Sequence, residues 1–178
     1  MKKSLLFIFV LTIVFCCGCS KTKTNPIKLS ISTTWGYGNY LFELDSNGEL
    51  TFSSGDIDYF GGEDYVVNDI KSNDYFIAEK SEKVKLSKEE LDVIKTLQEE
   101  ALKEEKPSPN DLIPDLPTIT LLINDEIYKF LVRPDHPSAI EYRNKSYYKL
   151  YEEFETIAKT EFKDMIEDLS KPNFWEDK

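Results

Sequence analysis

Apolar and polar residues alternate one by one from Ile27 onward. Ile27, Leu29 and Ile31 point one way and Lys28, Ser30 and Ser32 the other, the period of a half-buried strand. Tyr40, Phe42 and Leu44 repeat the pattern. Leu50 and Phe52 resume it after the turn Asp45-Ser-Asn-Gly48, whose glycine is free to take positive φ. Strands are predicted over 27–34, 40–44 and 49–53, joined as an antiparallel meander. Residues 54–82 are acidic and aromatic. Weak strands are predicted there near Tyr65–Ile70 and Tyr75–Ala78, and the run also reads as a long loop over the sheet.

The period then changes to that of a helix. Ser87-Lys-Glu-Glu90 is a capping box, in which the Ser87 hydroxyl accepts the Glu90 amide and Glu90 reaches back to the Ser87 amide. Leu86 and Leu91 flank it as a hydrophobic staple, and Leu91, Ile94, Leu97 and Ala101 share one face. This helix is predicted to end by Lys106, ahead of Pro107 and Pro109. Four prolines in 107–117 make a rigid connector. Thr118–Ile123 and Ile127–Val132 flank Asn124-Asp125-Glu126 as a hairpin. A long helix follows, roughly 145–169, with Tyr147, Leu150, Tyr151, Phe154, Ala158, Phe162, Met165 and Leu169 on one stripe. The tail Pro172-Asn-Phe-Trp175 is expected to fold its aromatics back on the domain. Strands, helix, strands, helix predicts an α+β domain, an antiparallel sheet with two helices packed on one face.

The chain ahead of this domain follows another logic. Lys2 and Lys3 precede an apolar run from Leu5 to Phe15, broken only by Thr12. A bilayer takes about 20 apolar residues, so the run is too short to span one. A positive start, a short apolar core and small residues beyond it define a cleavable export signal. It ends Phe15-Cys16-Cys17-Gly18-Cys19-Ser20, which resembles the lipobox of bacterial lipoproteins, a small residue followed by an obligatory cysteine. The resemblance implies cleavage after Gly18 and diacylation at Cys19. Cys16 departs from it, standing where leucine is usual. Cys17 is a tolerable rival that lacks the preceding glycine, and Cys16 would follow bulky Phe15. The plainer alternative is an ordinary export signal whose cysteines fill the apolar stretch. The organisation expected is a signal peptide over 1–18, a lipidated cysteine and flexible polar tether over 19–26, and one α+β domain over 27–178. That domain sits outside the cytoplasm on a cell membrane or outer membrane. Its element order over 27–132, with the Leu86-Ser87 helix start, loosely resembles small secreted bacterial domains of unknown function, a likeness that implies no activity.

Composition narrows the chemistry. Loss of an 18-residue signal from the 178-residue chain leaves 160 residues, enough for one domain with a proper core. The three cysteines, at 16, 17 and 19, all lie in the signal region, so the domain carries no disulfide, cysteine nucleophile or cysteine metal site. The formal net charge is −11, and losing Lys2 and Lys3 takes it to −13. That charge argues against nucleic-acid binding and against broad adhesion of the domain to anionic lipid. His136 is the only histidine, which excludes a multi-histidine zinc site, and no Gly-x-Ser-x-Gly elbow presents a serine to it. Glu43-Leu-Asp45-Ser-Asn47-Gly48 imitates the start of a calcium loop. Ser54 stands where a bidentate glutamate belongs, and the same residues alternate as a hairpin. No cofactor and no metal are expected.

Two surface candidates remain. Asp56, Asp58, Glu63, Asp64 and Asp69, threaded with aromatics, are suited to a divalent cation or a basic partner, and equally to a plain solvated face. Trp35, Tyr37 and Tyr40 stand among glycines, where exposed rings would stack on a sugar or protein surface and buried ones would close the core edge. The sequence thus points to a membrane-anchored, non-enzymatic binding or interaction module with a protein or glycan partner. A small carboxylate-dependent glycan hydrolase is the alternative, because acidic pairs serve glycoside hydrolysis.

Overall fold

The computed structural model describes residues 24–32, 39–58, 69–72, 74–107, 118–131 and 142–168. Residues 1–23, which hold the expected signal and Cys19, and Trp35, Tyr37, Glu63, Asp64, His136, the prolines beyond 107 and the aromatic tail lie outside the described residues. The chain is an α+β domain. Its strands are β1 (Ile27–Ser32), β2 (Asn39–Leu44), β3 (Glu49–Ile57), β4 (Phe76–Lys85), β5 (Thr118–Ile123) and β6 (Glu126–Leu131). Its helices are α1 (Lys88–Ala101), α2 (Ser146–Glu161) and a short α3 (Lys163–Asp168). The strands form one antiparallel sheet in the order β4-β3-β2-β1-β5-β6.

The alternation sets which face is covered. Ile27, Leu29 and Ile31 stand opposite Leu44, Phe42 and Tyr40 on one side and Ile123, Leu121 and Ile119 on the other. With Leu50, Phe52, Tyr128 and Phe130 they make one apolar face, buried beneath both long helices. The two helices cross the strands in opposite directions. α1 starts at the β2–β3 turn, where the Leu86 amide donates to the Gly48 carbonyl at 3.1 Å. Gly48 has φ +80°, and a Cβ there would sit 2.7 Å from the Leu91 side chain. α1 ends at the β5–β6 hairpin, where the Tyr128 hydroxyl donates to the Ala101 carbonyl at 3.0 Å. α2 begins beside that end and returns, placing Phe154 on Phe42 (5.6 Å between ring centres), while Phe162 beyond it lies on Phe52 (5.2 Å).

Local chemistry accounts for the boundaries. The capping box is formed: the Glu90 amide donates to Ser87 Oγ at 3.2 Å and the Ser87 amide to Glu90 Oε2 at 2.7 Å. Lys145 supplies no side-chain cap to α2. Instead Glu104, just past α1, accepts the Ser146 amide at 2.8 Å, and the Ser146 hydroxyl donates to Glu100 and Glu104. A carboxylate there also complements the positive end of the helix. Asn124 and Asp125 both have positive φ, the two-residue turn that matches strand twist.

Four expectations need correction. Residues 69–72 form a turn rather than the end of a strand, with the Ser72 amide donating to the Asp69 carbonyl at 2.7 Å. The strand expected near Tyr75–Ala78 runs instead from Phe76 to Lys85, as an exposed edge. The second long helix is broken at Phe162, which leaves helical geometry while its ring packs on Phe52. The tether expected through Pro26 ends earlier, because Thr24 is buried at 3% exposure.

Candidate functional site

Among the described residues no helix covers the second face of the sheet, and its side chains are the polar half of the same alternation. Strand register sets them in two rows. One runs Leu122, Lys28, Glu43, Thr51, Lys83, and the next Thr120, Ser30, Leu41, Ser53, Ser81. Lys28 pairs with Glu43 at 3.3 Å and Lys83 with Glu49 at 2.8 Å. The hydrogen bond to Glu49 is the main reason the Lys83 ammonium is held above its ordinary pKa. Ser53 and Ser81 share a hydroxyl hydrogen bond of 2.8 Å.

Part of this face is closed by the chain between β3 and β4. The Asp58 amide donates to the Tyr75 carbonyl at 3.0 Å, and the Tyr75 hydroxyl reaches across to Ser30 Oγ at 3.2 Å. Ile57, Ile70 and Tyr75 form a small second core, against which Phe76, Leu122 and Ile127 pack. Between that core and the charged row lies a hollow of about 270 Å³. Leu41, Thr51, Ser53 and Ser81 floor it, Ser72, Tyr75 and Phe76 wall it, and Lys28, Glu43 and Lys83 stand at its rim. The hydroxyls both donate and accept hydrogen bonds, and the paired charges orient a polar ligand without demanding a net charge from it.

The candidates named from sequence fall differently. Tyr40 is on the covered face, 6% exposed and stacked on Phe52 at 5.7 Å, and burial pushes its hydroxyl pKa up. Its ring closes the core and cannot stack on a ligand. Asp56 is exposed and accepts from the Asn39 side chain at 2.9 Å, while Asp58 is half-buried beside the second core. Asp45, in the segment that imitates the start of a calcium loop and reads as a hairpin, turns its carboxylate to the amides of Asn47 (2.9 Å) and Glu49 (2.8 Å), and the Glu49 amide is the main cause of its lowered pKa. That is hairpin chemistry. Among the described residues no three histidine, cysteine, aspartate or glutamate side chains gather as a metal site.

Among the described residues two carboxylates have raised pKa values through partial desolvation, Glu152 and Glu153, the first further raised by Glu155 and the second by Glu90. Both ride on α2, in the helix layer, away from the hollow. The hollow's own described lining includes one carboxylate, Glu43. Lys28, Thr51, Ser53, Ser81 and Lys83 were not singled out from sequence. The only signal they carry is their place in the alternation, and for Ser81 and Lys83 even the strand was unrecognised. Among the described residues no helix is long and apolar enough to cross a membrane. In comparison with known proteins, no family model matches the chain and no curated protein matches it significantly.

Proposed function

We propose that the chain is an exported lipoprotein, held on a cell or outer membrane through acyl chains on Cys19, whose domain is a non-enzymatic binding module for a protein or glycan. The observation that carries the binding reading is the hollow on the face opposite the two long helices: hydroxyls on its floor, an aromatic wall and ion-paired charges at its rim. Hydroxyls and the half-buried Phe76 ring, rather than Tyr75 buried in the second core, are what sugar and peptide surfaces meet. Glycoside hydrolysis needs two carboxyl groups flanking the bond, and among the described lining residues Glu43 alone is one, already paired with Lys28. That favours binding over hydrolysis. No cofactor has a role in this reading, and the acidic charge keeps nucleic acid out of it.

The test is direct. Soluble domain without the signal is mixed with isolated cell-wall glycan and sedimented, in parallel with a Thr51→Trp variant that fills the hollow. Sedimentation of the parent, lost in the variant while its thermal melt is kept, supports the reading. Binding that survives Thr51→Trp moves the seat elsewhere, and new reducing ends released into solution would establish the hydrolase instead. Anchoring is checked separately by incorporation of a palmitate analogue, which Cys19→Ala should abolish.

A further inference from the structure

The chain joins the domain at one end of the sheet, and that junction is clamped. Thr24 is buried, and its hydroxyl donates to the Asp45 carbonyl in the β2–β3 turn at 3.2 Å. One residue on, the Asn25 carbonyl accepts from Gln98 Nε2 of α1 at 2.9 Å. Gln98 is 1% exposed, and its Oε1 is buried with no hydrogen-bond partner among the described residues. A buried amide that leaves its carbonyl unsatisfied is a cost to folding, so the core gains nothing from Gln98 that leucine would not supply better. What the glutamine does provide is a donor to the incoming chain.

Only residues 20–23 separate Cys19 from this clamp. Fully extended, Cα19 to Cα24 spans about 17 Å. The β2–β3 turn and the β5–β6 turn lie together at this end, because Ile27 pairs with both Leu44 and Ile123. α1 runs between them, and Lys88, Lys95, Gln98 and Leu102 follow one another at spacings that keep them on one side of it. Asp92 and Glu99 lie next to that column, so charge alone does not bind this side to anionic lipid. The opposite end of the sheet, at Ser32, Asn39, Ile57, Phe76 and Leu131, is about 20 Å away by the rise of a six-residue strand.

From the clamp and the short leash we infer that the domain stands on the membrane in one orientation: the end holding the two turns and α1 meets the lipid headgroups, and the opposite end points outward. The inference rests on anchoring at Cys19. The strands stand upright, and the hollow opens sideways, with Lys28, Glu43 and Lys83 of its rim toward the lipid end. Thr24 and Gln98 act as positioning residues for the whole domain.

The experiment uses lipidated protein reconstituted in phosphatidylethanolamine–phosphatidylglycerol vesicles that contain a headgroup-nitroxide lipid. The acylated chain has no other cysteine once the signal is removed, so one fluorophore is placed by Ser46→Cys in the β2–β3 turn or by Asp74→Cys at the outer end. Quenching of the Ser46 label is expected to be several-fold stronger than that of the Asp74 label. Thr24→Val with Gln98→Leu, which keeps the core filled and the melting temperature up, should bring the two labels close to equal. Equal quenching in parent protein that floats with the vesicles overturns the orientation and leaves the anchor standing. A ratio unmoved by the double variant overturns the clamp as its cause. Protein that fails to float and carries no acyl mass at Cys19 overturns the anchor, and the orientation with it.

Discussion

The two faces of the sheet are made by the same strands, one residue apart, yet they are closed in different ways. Phe52 is fully buried among Tyr40, Phe42 and Phe162. Ser53, the next residue, points to the other side and shares a hydroxyl bond with exposed Ser81. The covered face is continuous from Val84 at one edge to Tyr128 at the other, under two antiparallel helices. Among the described residues the other has a small core of Ile57, Ile70 and Tyr75 over one part and a polar hollow beside it. A fully buried aliphatic or aromatic side chain contributes about 1.5–3 kcal/mol, so stability is concentrated on the first face. The second face is left free to vary in shape and chemistry. A binding site placed there burdens folding least.

The sharpest way to break that contrast is a pair of neighbouring substitutions. Phe52→Ala should cost about 3–5 kcal/mol, since it opens a cavity that stacked rings cannot refill. Ser53→Ala should stay within about 0.5 kcal/mol, because its partner can turn to water. Urea unfolding at equal slope measures both. A Ser53→Ala loss comparable to that of Phe52→Ala would mean the polar face is structural and not spare.

Gly55 probes where the faces meet. β3 and β4 shift register between Ser54 and Gly55, and a Cβ at Gly55 would sit 2.1 Å from the Ile77 carbonyl oxygen. That neighbour is backbone, so it can yield only if β4 moves. Gly55→Ala should destabilise by about 1–3 kcal/mol, as overpacking does. It should also disturb the second core, because Phe76 and Ile57 follow directly. Hydrogen exchange at the amides of 76–78 should rise while that of β1 and β5 stays. Uniform loosening of the whole sheet would show that the bulge supports the main core instead.

Most of the covered face was legible in the sequence. Alternation is strong where one side of a strand goes under a helix, and β1, β2, β3, β5 and β6 fall within a few residues of where the pattern puts them. Ser87 and Glu90 announced α1 because capping is local chemistry. The later half of β4, Glu-Lys-Ser-Glu-Lys-Val-Lys, was not legible. An exposed edge strand buries little, so only Val84 is left to alternate, and its lysines and glutamates keep other strands from adding to the edge. The hollow was hidden for a related reason. Lys28, Thr51 and Lys83 become one row only through pairing across three strand boundaries, which no local pattern encodes. Thr24 and Gln98 gave no signal at all, since a polar residue in a polar segment reads as solvent-facing until its partner is known.

The smallest expected effect is at the rim of the hollow. Lys28 is half-buried between Leu122 and Glu43, and its ammonium lies 3.3 Å from the Glu43 carboxylate. Partly exposed pairs of this kind contribute about 0–1 kcal/mol, and screening weakens them further. Lys28→Met keeps the apolar stem against the sheet and removes the charge. It also adds one more negative unit to the balance of a chain already at −11, which repulsion should make visible at low ionic strength. The loss should therefore be slight in dilute buffer and close as salt is raised toward about 1 M, where the Debye length falls to about 3 Å. A loss that persists in high salt would assign Lys28 to packing, and the contrast between the faces would weaken at that residue. A loss that closes with salt would leave the rim charges free to serve a ligand, because the fold would not depend on them.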